Sequence, residues 1–406
     1  MSASPLAAVE RPPAVGNDEW IARAGALLDA AHRFRLLASD AAPATDPDAC
    51  ARGLGLYEGR AGDALVLATY ASVADDRRRA DAARRIVATL VANPESTAAT
   101  LLARPDGLGL AFGVSGLIFT LARCGELLGE RRFIAAADRY ADLVDPARVV
   151  AHAEPDVLAG LAGWTLALLA LARLSPKSAA LDRAATCGRR LMAARQRTGE
   201  GHRAWPSGPF GRPHTGFGHG ASGIAYALGR LGVVTGDREL LAAAEEAFAY
   251  ERTMIVREAG NWRDLRVSLP TSGGVPVAWG WCAGAPGIVL ARLALISAVD
   301  GPEIGAEIAM GLESTVLRGA RTLHHLCCGT MSRVETLLVA AEHEPGATHG
   351  DTAAALANAA WVSVNRAVGA EPQTVFPGLF EGIGGVAFEL LRVAAPHRVR
   401  SLLLFA

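Results

Sequence analysis

The sequence predicts an all-α domain built from seven helical repeats. Three observations carry that prediction. A short glycine phrase recurs seven times, each copy opens a segment that is apolar nearly all round, and amphipathic charged segments lie between the copies.

The phrase is Gly-x-x-Gly followed by an apolar run. Its glycines stand at 59 and 62 (YEGRAGDAL), 113 and 116 (AFGVSGLIF), 160 and 163 (LAGLAGWTL), 220 and 223 (GHGASGIAYAL), 284 and 287 (WCAGAPGIVLARL), and 382 and 385 (LFEGIGGVAFELL). The sixth copy, LCCGTMSRVETLL, keeps Gly329 and has Ser332 in place of the second glycine. Successive first glycines are 54, 47, 60, 64, 45 and 53 residues apart, enough for two helices and their loops in each unit. Segments apolar on every side, such as 161–171, read as buried inner helices. The stretches 81–91, 179–195 and 238–251 carry Arg and Glu on one face and read as outer helices. Each unit is thus taken as outer helix, loop, glycine turn, inner helix. Whether the units close into a ring or stack openly is not decided by the pattern. Two segments read as irregular: a long Gly/Pro/aromatic loop at 198–216, a candidate wall of a peptide groove, and 251–276, with room for a small extra element.

The chain has 406 residues, a net charge of -1, 51% hydrophobic and 20% charged residues, which is a globular composition. It lacks the basic excess that would hold nucleic acid and any polybasic run for an anionic membrane. The most membrane-like stretch, 157–172, is interrupted by Gly160 and Gly163 and falls short of the ~20 residues of a span. No integral membrane segment is expected. Residues 1–17 are Pro/Ala-rich, lack the pattern of a signal peptide, and are read as a disordered segment preceding one domain, 18–406. A cytoplasmic location follows as the expectation. The six cysteines are too sparse for a disulfide scaffold. Clustered thiols in a reducing compartment then suggest metal ligands or catalytic groups.

If the repeats are equivalent, all seven glycine turns lie at one end of the inner helices. Residues just before each turn then share one region. The position one before the first glycine holds Glu58, Phe112, Ala159, His219, Ala283, Cys328 and Glu381. The position two before holds Tyr57, Ala111, Leu158, Gly218, Cys282, Cys327 and Phe380, and four before lies Asp156 in the third repeat. Cys282 and Cys327 share a slot in adjacent repeats, and Cys328 follows at once. Three thiolates with an open fourth position is the layout of a catalytic zinc. The bland alternative is three small buried residues. His219 reads as a general acid/base, a fourth ligand or a core histidine, and Asp156 as a helix cap or a functional carboxylate. His324 and His325 are candidates to support or replace a ligand. Glu58 and Glu381 read as structural or peptide-contacting, and Cys50, Cys124 and Cys187 as inert.

At these residues the sequence resembles the lanthionine synthetase C-like family. It looks closest to the cyclase domain of class II lanthipeptide synthetases, with a Cys-Cys-Gly variant of the zinc motif. The resemblance runs from Gly53 to the C-terminus and rests on GLYEGRAG, GFGHGASGIAYAL, WCAGAPGIVLARL, LCCGTMSRVETLL and PGLFEGIGGVAFELL. It implies an α/α toroid of seven inner helices inside seven outer ones, so that the repeats close. It implies one zinc ion (Zn2+) per chain, held at the positions of Cys282, Cys327 and Cys328, the last being His in most members. It places the family's catalytic histidine at His219 and its active-site aspartate at Asp156. Two departures stand out: Ala278 replaces an arginine often found four residues before the zinc cysteine, and Ala283 replaces an aromatic residue after it.

The implied substrate is a dehydrated precursor peptide, and the implied reaction is addition of its Cys thiols to dehydroalanine or dehydrobutyrine, giving thioether rings. The dehydratase domain of class II synthetases is not in this sequence, so a separate dehydratase is the expected partner. Two other readings use the same residues: thiol transfer from glutathione to another electrophile, and a non-catalytic peptide-binding scaffold.

Overall fold

The computed structural model describes residues 15–39, 46–199, 201–207, 211–268, 274–299, 301–370 and 375–406. Most of the stretch expected to be disordered, residues 1–14, lies outside them. Among the described residues, seven inner helices span Arg60–Ala74, Val114–Leu128, Leu161–Leu174, Ala221–Thr235, Ala285–Leu295, Thr330–His343 and Ile383–Ala394. Each is packed against the next, and the seventh is packed against the first, so they form a closed ring. The toroid expected from the resemblance is present.

Each inner helix begins at the first glycine of its phrase, which takes the N-cap position without a side-chain cap bond. In the six copies that keep it, the second glycine faces a carbonyl six residues back. At Gly223 a Cβ would run into the Phe217 carbonyl oxygen, so only glycine lets the chain fold so tightly onto its own helix. The inner helices are apolar because both of their sides are covered. In Leu161–Leu174, the residues Leu161, Trp164, Leu168 and Leu171 point in different directions and all are buried. Outer helices bury one stripe: in Arg131–Asp142 it is Phe133, Ala137, Tyr140 and Ala141, at helical spacing.

The phase of the repeat differs from the expected one. Each inner helix packs most closely on the outer helix that follows it, not the one before. The reason is loop length. Only Asp75 and Asp76 separate Ala74 from the outer helix Arg77–Leu90, and only Gly236 and Asp237 separate Thr235 from Arg238–Arg252. So short a link folds the two helices back as an antiparallel hairpin. That phase leaves the last inner helix without a following outer helix, and the N-terminal helix Asn17–Ser39 packs there instead.

The glycine turns are joined by their own ring of main-chain hydrogen bonds. The amide two residues before each first glycine donates to the carbonyl of the equivalent residue in the next repeat. The circuit runs Tyr57 to Ala111 (3.1 Å), Ala111 to Leu158 (3.0 Å), Leu158 to Gly218 (3.2 Å), Gly218 to Cys282 (3.1 Å), Cys282 to Cys327 (3.4 Å), Cys327 to Phe380 (3.0 Å) and Phe380 back to Tyr57 (2.9 Å). These bonds satisfy buried backbone groups and hold the seven turns at one level.

The centre beneath that level is filled by the C-terminal residues. Leu402, Leu403, Leu404 and Phe405 are buried. The Phe405 ring meets Phe119, Trp281 and Phe380, while Tyr226 Oη and Trp281 Nε1 donate to the carbonyls of Leu404 (2.8 Å) and Leu403 (3.1 Å). The small extra elements are hairpins. At the 198–216 loop, Gln196–Arg197 just before it pairs with Arg203–Ala204, and Pro206–Ser207 pairs with Arg212–Pro213. The 251–276 region carries Ile255–Val256 paired with Asn261–Trp262.

Candidate metal centre and proton donor

The ring of turns places Cys282, Cys327 and Cys328 side by side at its rim. Their sulfurs all lie within 4.8 Å of one another. Cys282 Sγ is 3.3 Å from Cys328 Sγ, which is 3.4 Å from Cys327 Sγ. All six cysteines are free thiols. Trp281, the residue before Cys282, is buried and reaches the C-terminal tail through its indole N–H. Gly280 is required next door, since a Cβ there would stand 2.6 Å from Cys328 Cα.

Without a cation the three thiols do not titrate alike. Hydrogen bonds from Cys327 and Cys328, with the Arg266 charge beside them, hold the Cys282 thiol well below the usual range. Hydrogen bonding to Cys282 and Cys328 pushes Cys327 up, and hydrogen bonding to Cys282 pushes Cys328 up to about 12. The crowded sulfurs thus favour ionisation of Cys282 over its two neighbours. A divalent cation would let the other two ionise. Tetrahedral zinc with thiolates at about 2.3 Å sets sulfurs roughly 3.8 Å apart, so this donor set fits zinc with little adjustment.

His219 lies on the adjacent turn, half-buried, with the Gly218 amide bonded to the Cys282 carbonyl. Its Nδ1–H donates to Asp156 Oδ2 at 2.8 Å. Asp156 is 2% exposed, and its other oxygen accepts the Ala159 amide at 2.7 Å. Asp156 is not the helix N-cap, a position held by Gly160; one of its oxygens caps the turn before the helix and the other faces His219. Burial pulls the His219 imidazole down, but the hydrogen bond and charge of Asp156, with Cys282 behind them, outweigh it and hold His219 above its ordinary value. The tautomer that bonds Asp156 leaves Nε2 as the remaining ring nitrogen.

The other candidates are also placed. His325 Nδ1 accepts the Cys328 amide at 3.4 Å, and His324 Nδ1 meets Thr330 Oγ1 at 3.1 Å; burial lowers both rings. Neither joins the sulfur cluster. Glu58 and Glu381 line a cleft of about 510 Å³ together with His324, His325, Phe376 and Val386. Cys124 and Cys187 are buried away from the rim, and burial pushes both thiols up to about 12.

Sequence reasoning missed three groups. Tyr57 Oη donates to Glu381 at 3.3 Å, and burial keeps the phenol protonated beside Cys327. His214 is buried, with its pKa lowered by that burial and by the charge of His219. Arg266 reaches Cys282 Sγ at 3.8 Å through Nη1. Tyr57 occupies a position already singled out, two residues before a first glycine, and that register could have flagged it. Nothing in the spacing marks Arg266, because a hairpin brings it to the rim.

A family model and one solved structure agree with this architecture. The family model described as lanthionine synthetase C-like protein matches residues 51–404. Among solved structures, a nisin cyclase superposes with a TM-score of 0.62 at 19% identity, covering 87% of this chain and 92% of that one. An α-mannanase from Bacteroides thetaiotaomicron follows at a TM-score of 0.46, 12% identity, 70% of this chain and 87% of that one. A cellobiose 2-epimerase from Spirochaeta thermophila gives a TM-score of 0.44, 13% identity, 70% and 85%. Among curated proteins, none matches the chain in sequence.

Proposed function

Because the chain belongs to the lanthionine synthetase C-like family, we propose that it is a zinc-dependent cyclase that forms thioether rings in a dehydrated precursor peptide. The observation that carries this reading is the juxtaposition of three sulfurs within 4.8 Å with the His219–Asp156 pair on the adjacent turn. Cys282, Cys327 and Cys328 would hold the metal. A zinc ion held there would supply a Lewis acid able to lower the pKa of a peptide thiol.

The chain's own residues then have definable tasks. The peptide thiolate forms a C–S bond to the β-carbon of a dehydroalanine or dehydrobutyrine. The alkene electron pair moves to the α-carbon and its carbonyl. His219, its pKa raised by Asp156, gives a proton from its imidazolium form to that α-carbon, and the proton lost by the thiol restores the imidazolium. Tyr57, held protonated by burial and hydrogen-bonded to Glu381, offers a neutral rim around the thiolates. The cleft holding Glu58 and Glu381 is roomy enough for a few side chains of the peptide. A separate dehydratase would supply the alkene.

The test is to incubate the purified, reduced protein with a dehydrated lanthipeptide precursor and count free thiols by alkylation and mass spectrometry. The expected result is thiol consumption without mass change, about one zinc per chain, and loss of both in Cys282→Ala. A parallel arm offers glutathione. A mass gain of glutathione in place of ring closure would favour thiol transfer, and zinc-free protein that binds the peptide without reaction would favour a scaffold.

A further inference from the structure

The family-like position for an arginine before the zinc cysteine holds Ala278, yet a guanidinium does reach the site. Arg266 arrives from the strap 261–266, which runs antiparallel to 276–279. Asn261 Nδ2 donates to the Ala278 carbonyl at 2.8 Å, Arg263 pairs with Val277, and the Asp264 amide donates to Pro276 at 2.8 Å. Asn261 Oδ1 also accepts the Ala285 amide at 2.8 Å, so one side chain grips both ends of the turn that carries Cys282. Thr215 Oγ1 donates to the Arg263 carbonyl at 2.6 Å and ties the strap to the His219 turn. The strap is therefore fixed to two neighbouring turns of the rim.

The guanidinium itself is aimed. Asp264, buried, accepts Arg266 Nε at 2.9 Å and Nη2 at 2.9 Å, a two-pronged fork, and also the Arg266 amide at 3.0 Å. That fork occupies one edge of the planar group. It leaves Nη1 directed at Cys282 Sγ, 3.8 Å away. A lysine could supply the charge there but not the fixed edge.

Three thiolates around a divalent ion sum to a single negative charge, where a site with two thiolates and a histidine is neutral. A half-buried negative site is costly unless a cation stands beside it. We propose that Arg266, oriented by Asp264, is the charge-balancing and positioning residue of a three-thiolate zinc site, and that it makes Cys328 tolerable where a neutral ligand would otherwise be needed. Its N–H on Cys282 withdraws electron density from that sulfur alone. The inference rests on the zinc reading given above.

The experiment uses the full-length protein. Zinc affinity is measured by chelator competition, and cobalt(II) substitution reports the thiolate-to-metal charge-transfer band, for wild type, Arg266→Gln, Arg266→Lys and Asp264→Asn. Arg266→Gln is expected to weaken zinc at least tenfold (about 1.4 kcal/mol) and to move the band to lower energy, as an electron-richer sulfur requires. Arg266→Lys is expected to recover affinity to within about threefold of wild type while leaving the band displaced, and Asp264→Asn to displace the band with a smaller loss of affinity. A purely structural arginine would not produce that split. Wild type that binds no metal would overturn the zinc reading and this inference together. Wild type that binds one metal, beside a folded Arg266→Gln or Arg266→Lys with unchanged affinity and spectrum, would overturn this inference alone.

Discussion

At the scale of single residues, the site is a set of paired oppositions. The His219 pKa is raised because Asp156 outweighs its burial. On the proposed mechanism its protonated form is the donor, so activity should fall as pH rises through its raised pKa. Asp156→Asn removes the carboxylate charge and lets burial dominate. The alkaline limb of the cyclisation rate should therefore move to lower pH, with at least a tenfold lower rate at neutral pH, given the usual size of general-acid effects of about 100-fold or more. A pH–rate profile of the variant checks this; an unmoved alkaline limb would mean that Asp156 is only a turn cap. Cys328 raises a second question. Around a zinc ion, three thiolates would donate more electron density than two and a histidine, which would make a bound substrate thiolate more nucleophilic and less selective. Cys328→His should retain zinc and form rings more slowly. Equal or faster ring formation at full zinc occupancy would contradict that account.

At the scale of elements, an outer helix supports the His219 turn from behind. Glycine N-caps leave inner-helix amides without side-chain partners of their own. On the helix Arg238–Arg252, Glu251 is fully buried, and it accepts the amides of Gly216 (2.9 Å) and Ser222 (3.1 Å), which bracket His219. Arg292, from the next inner helix, binds Glu251 at 3.1 Å and Glu307 at 2.6 Å. Burial raises the Glu251 carboxyl, opposed by Arg292 and by these hydrogen bonds. Removing one partner of a buried ion pair costs about 3–5 kcal/mol. Glu251→Ala should therefore lower unfolding stability by about 3 kcal/mol, at the lower end because Glu307 remains with Arg292. Denaturant titration measures it. Zinc content should be affected less than cyclisation, since the lost bonds hold the His219 turn.

At the scale of the whole molecule, closure is the organising fact. The N-terminal helix Asn17–Ser39 packs on the last inner helix, and the rim circuit returns from Phe380 to Tyr57. Phe405, 4% exposed, fills the space between Phe119, Trp281 and Phe380, which belong to three different repeats. Phe405→Ala leaves a cavity there and should cost about 3–5 kcal/mol. Trp281 precedes Cys282, so the same variant should loosen the thiol cluster and weaken metal binding, which cobalt spectra would report. Among the described residues no helix is long and apolar enough to cross a membrane.

The sequence by itself determined a great deal of this. Seven glycine phrases specify seven helix starts, because only glycine allows a carbonyl to pass so close to the first turn. Equivalent slots before those starts predicted that Cys282, Cys327 and Cys328 would meet, and that His219 would share their rim. Repetition made these positions legible: a local rule, applied seven times, needs no knowledge of distant contacts. The tertiary structure alone decided the pairing phase, the tail in the centre, and the arrival of Arg266. Each depends on contacts between segments whose separation in sequence follows no period. Short loops choose the phase, the barrel's empty middle selects the C-terminal apolar residues, and a hairpin strap bound to 276–279 carries a guanidinium to Cys282 that no motif announces.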